Sequence, residues 1–157
     1  MTTKSFENEL ARALARPDLD ELRTSLSVYY QWTKPARRRD DDWPNGLDLW
    51  FNFDKSDRNL ALIALAMAAY DDEEFLILVA CGLLESTLFQ ELAHSGLPLS
   101  NEFLDRIVVE ARRTPRFRWM LSAMWTSGMP PEKAQKIKEA VGTASCETDP
   151  LPPRPWA

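Results

Sequence analysis

The chain has 157 residues, 45% hydrophobic and 27% charged, with a formal net charge of −5. That length holds one domain with a real core. The acidic balance argues against nucleic acid or anionic lipid as a partner, and two cysteines cannot build a disulfide framework. The N-terminus has no apolar secretory stretch, and no apolar run approaches the ~20 residues of a bilayer span. The expectation is a cytoplasmic protein.

Charge is unevenly spread. Residues 1–39 carry eight basic and five acidic side chains, residues 40–110 three and fifteen, and residues 111–157 eight and four. Two readings stay open. Basic ends pack on an acidic centre, or an acidic face meets a basic partner.

In chain order, Ser5 caps a first helix to about Ala15, with Phe6, Leu10, Ala13 and Leu14 on one side. Pro17 breaks it. Leu19, Leu22, Leu26, Tyr29 and Tyr30 then give a second helix from about Asp18 to Trp32. Residues 33–56 hold a basic run, the acids Asp40, Asp41 and Asp42, and the aromatics Trp43, Trp50, Phe51 and Phe53. They read as a long aromatic-rich loop whose rings pin it to the core. Residues 47–53 suit a short helical turn or an extended lid.

Ser56 or Asp57 caps a third, alanine-rich helix to Ala69. A tight junction at Tyr70-Asp71-Asp72 leads into the run 71–93, expected as the central helix, with its opening carboxylates complementing the helix dipole. Gly96 ends it. A further helix follows Ser100, with Phe103, Leu104, Ile107, Val108 and Ala111 inward. Pro115 opens another, made apolar by Phe117, Met120, Leu121, Met124 and Trp125. Pro131 to Val141 is a last short helix, closed by Gly142. The expected fold is all-α, a compact bundle of about six or seven helices. Residues 1–142 form a single helical domain, and 143–157, with four prolines, a flexible tail.

Catalytic and metal patterns are missing. There is one histidine, His94, and no metal-ligand spacing, phosphate loop, dinucleotide fingerprint or Cys-x-x-Cys. No catalytic residue, metal or cofactor is assigned. Glu85 stands out because its helical neighbours are Cys81, Gly82, Leu88 and Phe89. A carboxylate beside an apolar stripe needs a partner, and Arg112, Arg113 and Arg116 are the candidates for a structural polar network with it.

At Gly82-Leu83-Leu84-Glu85 and Ala111-Arg112-Arg113-Thr114-Pro115-Arg116-Phe117 the sequence resembles an uncharacterised family of small helical bacterial domains. That family carries Gly-Pro-Leu-Glu in one helix and Ala-Arg-x-x-Pro-x-Phe in a later one; here Leu83 replaces the proline. The resemblance spans roughly residues 55–125. It implies a helical fold and marks Glu85, Arg112, Arg113 and Phe117 as matching positions, with no activity attached. In size, charge and fold class the chain is also similar to immunity partners of bacterial toxins.

The function expected is a protein-binding module, immunity or regulatory, that neutralises a basic partner through an acidic surface in residues 40–74. Its contact residues would be Asp40, Asp41, Asp42, Trp43, Asp54, Asp57, Asp71 and Asp72. The alternative is a small enzyme or ligand-binding protein using Glu85 and nearby arginines. Nucleic acid and membrane are not expected partners, and a homo-oligomer is compatible with the sequence.

Overall fold

Leu60 to Met67 is an unbroken apolar run, and every residue in it is buried. A helix that is apolar all round belongs in an interior, and its alanines let neighbours approach on several sides. The computed structural model places it there. Residues 6–34, 56–85, 87, 88 and 102–154 are described. Among them lie seven helices: α1 (Phe6–Leu14), α2 (Leu19–Trp32), α3 (Ser56–Ala69), α4 (Glu73–Val79), α5 (Glu102–Arg113), α6 (Pro115–Leu121) and α7 (Pro131–Val141). Helix α3 packs on α1, α2 and α4, while α5, α6 and α7 pack on one another. The Phe6 and Phe117 rings, with centroids 4.3 Å apart, join α1 to α6.

The all-α bundle is as the sequence predicts, with two corrections. The helix at the centre is α3, not the run beginning at Asp71. Nor is that run regular. Asp72 caps α4, its Oδ1 accepting from the Phe75 amide at 3.1 Å. After Val79 the helix widens into a π-helical segment, Ala80–Leu84, in which the Glu85 amide bonds back to the Ala80 carbonyl. Such insertions relax an α-helix where a side chain or a close neighbour disturbs its ladder. Here the Cys81 thiol donates to the Ala123 carbonyl at 3.3 Å, and Thr87 Oγ1 donates to the Leu83 carbonyl at 2.7 Å while accepting from Asn59 Nδ2 at 2.6 Å. These bonds tie the widened turn to the loop after α6 and to α3.

Other boundaries follow local chemistry. Pro115 stands at the first position of α6, and Gly142, at φ 60°, ends α7 where a side chain would strain the backbone. The apolar face of α5 is as expected, with Phe103, Leu104, Ile107, Val108 and Ala111 buried. Trp125 departs from expectation: α6 ends at Leu121, and the indole is 73% exposed. The expected aromatic loop falls mostly on residues 35–55, outside the described residues.

Two acids are buried among the described residues, Glu9, which pairs with Arg106, and Glu110 on the inner side of α5. Glu110 is 3% exposed, and neither of its carboxyl oxygens completes a hydrogen bond. Burial pushes its carboxyl up to about 7, against the opposing pull of the nearby Phe6 amide and of Arg113 and Arg106; Glu9 reinforces the rise. The folded chain therefore holds a proton that the unfolded chain releases at the usual carboxylate pH. Stability is greatest below that range and falls as pH rises toward 7. Glu110→Gln is expected to abolish a loss of about 1–3 kcal/mol between pH 5 and pH 8, read by urea denaturation at several pH values.

Candidate binding site

Helix α6 presents Arg116 and Trp119 three residues apart, with Ser122 three further on at its C-terminal end. Side chains at this spacing share a helix face. The face is apolar enough to bury Arg116 to 2% and Trp119 to 1% exposure. Each residue meets the segment 143–154 at a matching interval. Arg116 Nη1 donates to the Pro152 carbonyl at 2.9 Å, Trp119 Nε1 to the Asp149 carbonyl at 2.9 Å, and the Cys146 amide to Ser122 Oγ at 2.8 Å. The register is antiparallel, one bond per three residues on both sides.

The segment's sequence explains why it can be read this way. Each proline fixes its own φ and pushes the preceding residue to extended backbone, so Asp149-Pro150-Leu151-Pro152-Pro153-Arg154 cannot coil into a helix. Its carbonyls lack internal donors. In a threefold extended chain Asp149 and Pro152 lie on one side. Between Ser145 and Asp149 the chain instead makes a turn, with the Asp149 amide on the Ser145 carbonyl at 2.9 Å. Leu151 is half-buried against the core. The stretch expected as a disordered or loosely docked tail makes these contacts as far as Arg154.

Arg116 also reaches the α3–α4 junction. Its Nη2 donates to the Tyr70 carbonyl at 2.6 Å and to Asp71 Oδ1 at 2.8 Å. Asp71 itself is 67% exposed and takes a second guanidinium: Arg154 Nε donates to Oδ1 at 3.0 Å and Nη2 to Oδ2 at 2.7 Å. This two-point match of fork to carboxylate is the geometry arginine favours. Bonds from Arg154, then from Arg116, hold the Asp71 carboxyl below its usual range. Their contribution is present above that range and is lost as pH falls through the depressed value. Burial lowers the Arg116 pKa, against the pull of Asp71.

The junction is fixed from its other side by aromatic rings. Tyr30, Tyr70 and Phe75 lie with centroids 4.5 to 4.9 Å apart. The Tyr30 hydroxyl donates to Asp72 Oδ2 at 3.2 Å, Lys34 pairs with the same carboxylate, and its ammonium sits 4.2 Å above the Tyr30 ring. A cleft of about 620 Å³ opens beside the segment, lined by Asp71, Glu73, Arg116 and residues 150–154. A second, of about 490 Å³, lies toward α7 and is lined in part by Arg112, Arg118 and Glu139.

Of the acids expected to face a partner, three are described, and each already holds a basic group of the chain. Asp71 takes Arg116 and Arg154, Asp72 takes Lys34, and Asp57 takes Arg106 at 2.7 Å. Arg106 also pairs with Glu9. Asp40, Asp41, Asp42, Trp43 and Asp54 lie outside the described residues. The expected network around Glu85 does not assemble among them. Glu85 Oε2 accepts the Trp125 backbone amide at 3.3 Å, while Arg116 serves the far end of the same helical run, about 20 Å away at 1.5 Å per residue. Arg113 acts on Glu110, and Arg112 is exposed. Among the described residues no three His, Cys, Asp or Glu side chains group to hold a metal, and no helix is long and apolar enough to cross a membrane.

The chain belongs to a family of unknown function (DUF6869), whose model matches residues 33–145. That span covers the α3–α4 junction and the Arg116 face, and stops before the extended segment. No curated protein and no solved structure matches the chain.

Arg116→Lys tests the junction. A single ammonium cannot span the Tyr70, Asp71 and Pro152 acceptors, so the unfolding free energy should drop by about 1–3 kcal/mol. Urea denaturation near neutral pH measures it, and an unchanged midpoint would contradict the arrangement.

Proposed function

We propose that this DUF6869 member is a protein-binding module that regulates or neutralises a basic partner through its acidic surface. The observation that carries this reading is Asp71. An exposed carboxylate at a rigid helix junction takes a guanidinium at two points from a segment 83 residues distant in the chain. A surface that does this for the chain's own arginine offers the same chemistry to a partner's. Asp40, Asp41, Asp42 and Asp54 extend the acidic character of this part of the sequence. The role is binding, not catalysis, and the compartment is the cytoplasm, where two free, half-buried cysteines stay reduced.

The binding is electrostatically steered, so it responds to salt. Immobilised full-length protein should capture a basic protein from native lysate at about 50 mM salt and lose most of it at about 300 mM. The triple charge reversal Asp40→Lys, Asp41→Lys, Asp42→Lys should weaken capture at least roughly tenfold with the thermal midpoint unchanged. A tight partner indifferent to both salt and reversal would contradict the proposal.

A further inference from the structure

The extended segment that reaches Arg154 is bound as a peptide is bound, not packed as a helix is packed. Its anchors are backbone groups taken by side chains of α6 and its C-terminal end, one half-buried leucine, and the Arg154–Asp71 ion pair. Reading carbonyls on one side of a proline-fixed chain with an indole N–H and a guanidinium suits any segment of that chemistry, because the bonds go to backbone and the prolines lower the ordering cost. The residues supplying the bonds are themselves rigid. Trp119 and Arg116 are buried, and the Ser122 hydroxyl, which accepts from Cys146, donates to the Trp119 carbonyl at 2.6 Å. The segment is not enclosed: clefts flank it toward Glu73 on one side and toward α7 on the other, and Pro150 and Pro153 are exposed.

We infer that the Arg116–Trp119–Ser122 face with Asp71 is a binding site for an extended, proline-rich segment bearing an arginine. Residues 146–154 are its ligand in cis, occluding the site until a partner segment of the same chemistry displaces them. This rests on the binding reading above and specifies what the acidic junction recognises. Arg154 is the charged anchor, Leu151 the apolar one, and the Asp149 and Pro152 carbonyls set the register. The arrangement is autoinhibitory, since a partner must compete with a segment tethered through α7 at high effective concentration.

The test uses the whole chain with a protease site inserted between Gly142 and Thr143, both exposed in the turn after α7. After cleavage under native conditions the 143–157 fragment should exchange with a fluorescent synthetic peptide of the same sequence. Anisotropy should show saturable rebinding, and helicity should be retained by circular dichroism throughout. The uncut chain should bind the peptide at least roughly tenfold more weakly, because its own segment competes. A peptide carrying Arg154→Ala should rebind roughly tenfold more weakly to the cut chain. A core that loses its helicity when the fragment leaves, or a fragment that neither leaves nor exchanges, makes the segment part of the fold and overturns the inference. So does a folded cut chain that ignores the peptide. Self-association dissolved by added peptide assigns the site to a second copy's segment and overturns a foreign partner. Failure here leaves the salt-sensitive capture of a basic protein intact, and failure of that capture leaves rebinding measurable.

Discussion

A guanidinium buried to 2% exposure has few places to put its donors, and Arg116 puts them on three acceptors in two distant parts of the chain. One goes to a carbonyl of the extended C-terminal segment, one to the Tyr70 carbonyl in the α3–α4 junction, and a third contact is the Asp71 carboxylate beside it. Burying such a charge is costly unless its hydrogen bonds are met. Only Nε lacks a partner. Asp71 keeps most of its exposure, so it neutralises the guanidinium without itself being fully desolvated, and it has room to receive Arg154. The orientation of the junction, the course of the segment and the proximity of the two arginines all depend on that one side chain. Tyr30, Tyr70 and Phe75 support it by fixing the turn from the opposite side.

The same economy explains the uneven charge. The acidic middle is partly matched by basic groups from both ends of the chain: Lys34 on Asp72, Arg116 and Arg154 on Asp71. From the middle, Arg106 bridges its neighbour Asp57 and Glu9 of α1. Exposed pairs contribute little to stability on their own. Their effect here is to set the register of segments far apart in sequence, and to leave carboxylates at a junction whose geometry already fits arginine. Internal packing and external recognition, open alternatives at the level of composition, meet at one residue.

Much of the fold was legible because it depends on local rules. An all-apolar helix at 60–67, proline at the start of α6 and glycine at the end of α7 announce themselves. The site was harder to see. The physical test that singled out Glu85, an ionisable residue with apolar neighbours at three and four positions, applies to Arg116 on one side, where Trp119 and Met120 follow it, but not to Glu110, whose neighbours at that spacing are Arg106, Ile107, Arg113 and Thr114. In the sequence Arg116 is masked by Arg112 and Arg113, which close α5, and by Arg118, two residues on in α6, all of which share its charge. The π-helical widening at 80–84 left no clear pattern beyond Gly82, and the bonds that hold it, to Ala123 and through Thr87 to Asn59, are tertiary. The proline-rich end read as loose because composition alone does not reveal that its unpaired carbonyls face donors on α6.

The central claim is that Arg116 is held by fixed acceptors on both of its terminal nitrogens. A guanidinium so held rotates slowly about its Nε–Cζ bond and exchanges its protons slowly, whereas a solvated one averages quickly. Nitrogen-15 NMR of the arginine side chains, assigned through Arg116→Lys, reads this directly. The arrangement predicts separate, slowly exchanging Nη resonances for Arg116 at ambient temperature. A single averaged signal like that of the exposed Arg112 would contradict it.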